Sequence, residues 1–259
     1  MGTENGIFQF DPKAKKITSF SDTLNKQLKF RFRNNRVADI LHDRKNRYWA
    51  GTFNGLYLIE GNAHRVFNNN DKSFFIAGNE VLDILQRKNG EIWAATNKGL
   101  AKYDSINQTF LSYNEDIHGL SHFSVLSVYE SQKGTLWAGT EYGLNRYEEK
   151  ADTFRVYNSG NVGFANDFIY CIQEDNKQRL WLSSNKGLIR FNPARQRVKN
   201  FHFEDGLQSY EFNVGASYQK EDGEIFFGGI EGFNAFYPDS VQTDKYAPRA
   251  IFTGLEVLT

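Results

Sequence analysis

"NRYWAGTFNGLYLI", residues 46–59, is the stretch whose reading decides the fold. The same arrangement returns as "GEIWAATNKGLAKY" from Gly90, "GTLWAGTEYGLNRY" from Gly134 and "QRLWLSSNKGLIRF" from Gln178. A more divergent copy, "GEIFFGGIEGFNAF", starts at Gly223, and "ENGIFQFD" near the start reads as the tail of another, with Gly6 and Phe8 in register. Trp49, Trp93, Trp137 and Trp181 follow one another at steps of 44 residues, and the chain has no other tryptophan. Gly55, Gly99, Gly143 and Gly187 keep that step, and Gly232 follows after 45. A repeat of this length means a solenoid, a propeller or an array. The motif is therefore a structural unit rather than a site.

Within one repeat, residues 37–67 give "VADILH", "RYWAGT", "LYLIE" and "HRVF", separated by "RKN", "FNG" and a short link. No stretch sustains the i, i+3, i+4 spacing of a helix. Four short antiparallel strands joined by tight turns make one propeller blade. The expectation is an all-β chain, a β-propeller of four-stranded antiparallel blades, with about five to six blades over residues 1–246. Innermost strands read as nearly continuous apolar runs, as befits sheets covered on both faces, and each tryptophan is expected between blades. Asn89-Gly90 and Asp222-Gly223 predict hairpin turns with both central residues at positive φ. Gly134 and Asn46 hold the same place, and Gln178 is the exception. The glycine at 55, 99, 143, 187 and 232 is expected to have a left-handed backbone or to leave room for a neighbouring blade.

Bulk composition narrows the classes. The 259 residues carry 31 Lys+Arg and 31 Asp+Glu, so the basic footprint of a nucleic-acid binder is lacking. No apolar run reaches the length of a membrane span. "MGTENGIFQFDPK" lacks the basic region and apolar core of a secretory signal, which leaves either a cytosolic protein or a signal outside this sequence. The single Cys171 excludes an internal disulfide. The 23 Phe and 13 Tyr suit strands.

Single residues that invite a chemical reading have structural alternatives. Cys171 falls in a column with Asp39, Asp83, Ser127 and Ala216, which reads as packing on an inner strand rather than as a nucleophile. His42, His64, His118, His122 and His202 occupy unrelated places in the repeat, and no H-x-x-x-H or C-x-x-C spacing occurs, so no metal site is expected. "SQKGTLW" from Ser131 is near the Asp-box of sialidase propellers but lacks its aspartate. Glu148-Glu149 and Glu221-Asp222 fall in turns and read as solvated. Asp39 and Asp83 could line a channel; hydrogen bonding to neighbouring backbone is the favoured reading. No G-x-G-x-x-G or P-loop pattern occurs, and no cofactor is expected.

Variation concentrates in the links between blades: "FRFRNNR", "NNNDKSFFIAGNE", "NEDIHGLSHFS", "NSGNVGFANDF" and "EDGLQSYEF". They share one end of the blades with the turn after each second strand. Variable loops on a rigid scaffold are where binding usually resides. Their aromatic, amide and charged side chains suit a sugar, and the candidate ligand contacts are Arg36, Asn79, Glu80, His122, Phe123, Asn166, Asp167, Tyr210 and Glu211. The alternative is that each of these only caps its own loop.

The unit D-x-x-x-x-x-W-A-G-T-x-x-G-L at Asp43–Leu56, echoed three times, resembles the regulator-propeller repeat of the periplasmic sensor region of hybrid two-component systems. "FEDGLQSYEFNVGASYQKEDGEIFFGGIEGFNAFYP", residues 203–238, is similar to the closing blade of that family's second propeller. "APRAIFTGLEVL", residues 247–258, resembles the beginning of the following immunoglobulin-like domain, which implies a boundary at 246/247. The resemblance implies a periplasmic oligosaccharide sensor that signals to a histidine kinase outside this chain and works as a homodimer. Its partners would be the remaining blades and the immunoglobulin-like domain of the same receptor. The family's propellers have seven blades and no catalytic residues, so the expectation is part of a seven-bladed ring and no enzyme. A chain of this length would be a fragment needing further blades, or would associate to cover its ends; a closed ring of five or six blades is the other possibility.

Two other functions remain open on the residues alone. A propeller glycoside hydrolase or lyase would need carboxylates converging on the channel mouth at roughly 5–10 Å, with Asp167 and Glu211 as candidates. A protein-interaction scaffold would instead show an apolar or charged patch on the ring's face.

Overall fold

The computed structural model describes residues 2–3, 6–19, 36–61 and 63–241. Its strands form six antiparallel sheets in chain order. Four of these have four strands each, at residues 37–67, 81–113, 125–157 and 171–201, here blades 1 to 4. A three-stranded opening sheet at 2–19 precedes them, and a three-stranded closing sheet at 212–236 follows. In blade 2 the strands are Val81–Gln86, Ile92–Thr96, Gly99–Asp104 and Thr109–Tyr113. Neighbours in sequence are neighbours in the sheet. This is the expected all-β propeller of four-stranded antiparallel blades. The boundary at 246/247 and the domain expected at 247–259 lie outside the described residues.

The four tryptophans disperse through successive seams between sheets. Trp49 packs with Ile76, Val81 and Ile84, Trp93 with Leu120, Val125 and Val128, and Trp137 with Ile169 and Ile172. Trp181 packs with Phe212, Ile225 and Phe227 of the closing sheet. Each indole thus joins its own blade to the next, where burying so large an apolar surface contributes most.

The threonine and glycine of the motif form one turn, repeated. Thr52 Oγ1 donates to the Gly55 carbonyl at 2.8 Å and accepts from Asn54 N at 3.0 Å. Thr96, Thr140 and Ser184 repeat the bond to Gly99, Gly143 and Gly187. Gly55 has φ +109°, and a Cβ there would lie 2.5 Å from the carbonyl oxygen of Phe67. The crowding neighbour is the fourth strand of the same blade, not another blade. Room for the next blade comes instead from Gly51, where a Cβ would lie 2.8 Å from the Val81 oxygen.

The turn between first and second strands differs from expectation. Only its fourth residue is left-handed: Asn46 at φ +59°, Gly90 at +94°, Gly134 at +81°, Gln178 at +60° and Gly223 at +89°. Asn89 and Asp222 are not left-handed; their carboxyl or amide oxygens accept from Glu91 N and Glu224 N, a local bond such side chains make readily. Gln178 adopts the same geometry as the glycines.

The motif's aspartate clasps the tryptophan. Asp43 Oδ2 accepts from Trp49 Nε1 at 2.8 Å and Arg47 Nε at 2.8 Å, while Oδ1 accepts from Lys45 N and Arg47 N. Asp175 repeats all four bonds with Trp181, Arg179 and Lys177. These bonds hold the Asp43 carboxyl below its ordinary range although burial opposes them. In blade 2, Arg87 replaces the aspartate and Glu91 accepts from Trp93 Nε1 at 3.3 Å. The buried Arg87 guanidinium also bonds Glu130 at 3.2 Å and Glu149 at 2.6 Å. Glu149 therefore ties two blades together and is not merely solvated, as its turn position suggested.

Candidate functional site

The inter-blade links and the turns after second strands meet at one end of the sheets. Asn97 N donates to the Glu80 carbonyl, Glu141 N to Ser124 and Gly187 N to Tyr210. The scaffold side of this loop face is thus pinned by backbone bonds, and its side chains are left to differ between blades.

The nine residues expected there divide into two groups. Asn79, Asn166, Asp167 and Tyr210 hold their own loops. Asn79 Oδ1 accepts from Asn69 N at 2.9 Å and Asn166 Oδ1 from Phe168 N at 3.0 Å. Asp167 accepts from Ser159 N at 2.6 Å and Ser159 Oγ at 2.7 Å, at the start of the short helix Ser159–Val162. The Tyr210 hydroxyl donates to Glu204 at 2.9 Å, although half its ring surface stays open.

The rest face outward or toward the axis. Arg36 lies 3.9 Å over the ring of Phe53. Glu80 joins its backbone to Asn97. His122 stacks on Phe123 with centroids 4.2 Å apart, and its Nδ1 lies 3.9 Å from Glu141 Oε2. Phe123 is 46% exposed, with the Lys98 ammonium 5.0 Å from its ring centre. Glu211 accepts at its carbonyl from Gln208 Nε2, and its carboxylate bears on Tyr170. Burial raises the Tyr170 hydroxyl above its ordinary range, and the charges of Glu211 and Glu141 add to this.

Tyr170, Asn185 and Glu141 were not among the expected contacts. The Tyr170 hydroxyl donates to Asn185 Oδ1. His122, Glu141, Tyr170, Asn185 and Glu211 gather in this way around one sector of the rim, with Phe123 beside them. The signal lay in the turn after the second strand, where Phe53, Asn97, Glu141, Asn185 and Ile230 share a position and differ in kind.

Below that sector lies a cavity of 230 Å³ on the axis, lined by the inner strands of blades 1 to 4 and the closing sheet. Asp39, Asp83, Ser127, Tyr170 and Cys171 face it. A bulge before Asp39 and Asp83 shifts the register of their strands and re-aims the following side chain. Asp39 Oδ2 accepts from Ile84 N at 2.9 Å, and Asp83 Oδ2 from Val128 N at 2.8 Å. Each carboxylate thus binds the backbone of the next blade, as the favoured reading held. Burial raises both carboxyls, and Asp39 raises Asp83 further. Cys171 Sγ donates to the Asn213 carbonyl at 3.6 Å, and burial pushes its thiol up to about 11. A thiol that is protonated at neutral pH is a poor nucleophile, so Cys171 serves as a hydrogen-bonding link between sheets.

Residues 163–186 match the family model described as two component regulator propeller. They run from the end of one inter-blade link through the first two strands of blade 4 into the turn that closes on Gly187. That stretch thus matches one two-component regulator propeller repeat. No curated protein matches the sequence. Among solved structures, the fold is similar to the extracellular domain ascribed to hybrid two component system BT3049 of B. thetaiotaomicron, with TM-score 0.77 and 23% identity. That similarity covers 92% of this chain and 32% of the other. For the corresponding domain of BT4673 the values are 0.75 and 22%, over 92% and 33%. Virginiamycin B lyase from Staphylococcus aureus aligns at TM-score 0.58 and 14% identity, over 79% of this chain and 72% of the lyase. At such identities these likenesses establish the propeller fold. The chain spans about a third of the two extracellular domains it resembles.

Proposed function

We propose that this propeller is a ligand-sensing module of a hybrid two-component receptor, placed outside the cytoplasm in the periplasm, and that its ligand is an oligosaccharide. The loop-face sector carries the reading. Phe123 and Tyr210 keep 46% and 49% of their surface open, which offers ring faces for apolar sugar faces to stack on. Beside them stand an imidazole, a phenol, an amide and two carboxylates, which can pair with hydroxyl groups. A few polar groups converging beside apolar ring faces is a usual arrangement for such a site. The regulator-propeller repeat and the likeness to extracellular sensor domains support the receptor context. The histidine kinase would lie elsewhere in the receptor, and homodimerisation would carry the signal across the membrane.

Melting the protein against a panel of neutral oligosaccharides tests this. A ligand at a hundred times its Kd adds about 2.7 kcal/mol, which raises Tm by roughly 5–10 °C for a domain of this size. Phe123→Ala and Glu211→Gln should abolish the rise without lowering the unliganded Tm by more than about 1 °C. A panel without any responder, or a response that survives both substitutions, rejects the reading.

A further inference from the structure

The repeat supplies its own control at the opposite end of the blades. In three of the four tryptophan-bearing repeats a carboxylate accepts the indole N–H: Asp43 for Trp49, Glu91 for Trp93 and Asp175 for Trp181. In blade 3 the two positions that provide it are Ser131 and Thr135. The donors are nevertheless kept. Trp137 is 3% exposed, and among the described residues its Nε1 has no hydrogen-bond acceptor. Arg146 pairs with Trp137 across the strands, as Lys102 pairs with Trp93. Lys102 binds Glu91, whereas among the described residues Arg146 has only Glu148, at 3.7 Å. Ser131 Oγ is occupied by Thr135 N at 3.1 Å.

A cavity of 610 Å³ opens at this place, in the seam between blades 3 and 4. Five cations line it, Lys133, Arg146, Lys177, Arg179 and Arg195, against one carboxylate, Glu174. Glu174 is already engaged, accepting from Gln132 N at 2.5 Å. Arg179 gives its Nε to Asp175, while its Nη2 is buried without a hydrogen bond, 3.6 Å from Asp239. Lys177 pairs with Asp239 at 2.7 Å on the outer side. The indole edge, Leu180 and Pro193 supply apolar wall. Arg179 Nη2 is a buried donor without an acceptor, which is costly; a ligand carboxylate placed here could accept from it and from the Trp137 N–H at the cavity wall.

We infer that the seam between blades 3 and 4 binds an acidic saccharide, whose carboxylate takes the position filled by Asp43, Glu91 and Asp175 elsewhere. The volume suits one or two sugar rings, within the range of about 300–1,000 Å³ for small-molecule sites. The site is separate from the loop face: its call for a carboxylate rests on the seam alone, while the saccharide that carries the carboxylate rests on the sensor reading.

Calorimetric titration of the 259-residue chain with digalacturonate, with the neutral disaccharide of the same linkage and with sodium sulfate at matched ionic strength is the test. Digalacturonate should bind at one site per chain, and the neutral sugar at least tenfold more weakly. Ser131→Asp supplies the carboxylate from within and should cut digalacturonate affinity at least tenfold while raising Tm. Arg146→Gln, on a partly exposed side chain, should weaken binding without loss of fold and so guards against misfolding of the first variant. Phe123→Ala should leave digalacturonate binding unchanged, which separates this site from the loop face. Equal binding by wild type and Ser131→Asp overturns the inference. So does equal binding of the neutral sugar, or binding of sulfate alone, which would make this a general anion site.

Discussion

Blade 2 and the closing sheet are written in the same repeat and meet different surroundings. Trp93 is fully buried between its own sheet and blade 3, whereas Phe226, which holds the same place in the closing sheet, is only partly covered. Gly99 faces the end of its blade's fourth strand, so close that a Cβ would overlap the Tyr113 carbonyl; around Gly232 there is open space. Asp83 is enclosed at the axis, and Ala216 stands in its column. The comparison teaches that the motif encodes a seam, not a sheet: its residues contribute in proportion to what packs against them from both sides.

The largest difference should come from truncating the aromatic column. Trp93→Ala removes a buried side chain from a seam that cannot collapse, at a cost of about 3–5 kcal/mol. Phe226→Ala should cost less than half of that, because its surface is already partly in water. Chemical denaturation of the two variants reads the contrast directly. Equal losses would mean that Phe226 is covered in solution by something beyond the described residues, and the comparison would break.

The glycine column gives the next largest effect. Gly99 has φ +110° and Gly232 φ +129°, so alanine strains the backbone at both. Only at Gly99 does the added carbon also meet a neighbouring carbonyl. Gly99→Ala should cost about 2–4 kcal/mol, the sum of backbone strain and overpacking, against roughly 1 kcal/mol for strain alone at Gly232. The difference between the two melting curves isolates the contact from the torsion.

Periodicity made the fold legible, because the tryptophans at steps of 44 residues and the glycines six residues after them can only register if the sheets repeat. The ends of the strands in blade 1 could be read almost to the residue. The site was less legible, for a physical reason. A loop residue's role depends on whether its polar atoms are already engaged by its own chain. Asn166 and Asp167 look as available in sequence as Glu211 does, and only the fold shows that they accept from Phe168 and Ser159. Tyr170 was hidden by its place immediately before the inner strand Cys171–Glu174, where an aromatic reads as core. The unfilled clasp of blade 3 was visible as a missing aspartate at Ser131, but its meaning required seeing Trp137 and Arg146 converge on the cavity.

The axial column offers the smallest and most diagnostic contrast. None of the described residues lining the axial cavity is cationic, and the titratable groups facing it are Asp39, Asp83, Tyr129, Tyr170 and Cys171. Burial, and then the neighbouring Asp39, raise the Asp83 carboxyl above the 3.8 of an exposed aspartate, despite the bonds from Val128 N and Ile84 N. The native state therefore holds a proton that the unfolded chain has released at any pH between 3.8 and the raised value. Stability must fall as pH climbs through that window, and the loss is complete above it. Asp83→Asn keeps an acceptor for Val128 N and removes the charge, so its stability should exceed that of wild type at pH 8 and change less between pH 4 and pH 8. Ala216→Asp should not show the same slope if the closing sheet leaves that column open to water. Urea titrations at the two pH values measure both slopes. An Asp83→Asn protein less stable than wild type at pH 8 would show that the inter-blade hydrogen bond to a charged oxygen outweighs the cost of burying it, and the axis would then be a source of stability rather than a charge to be tolerated.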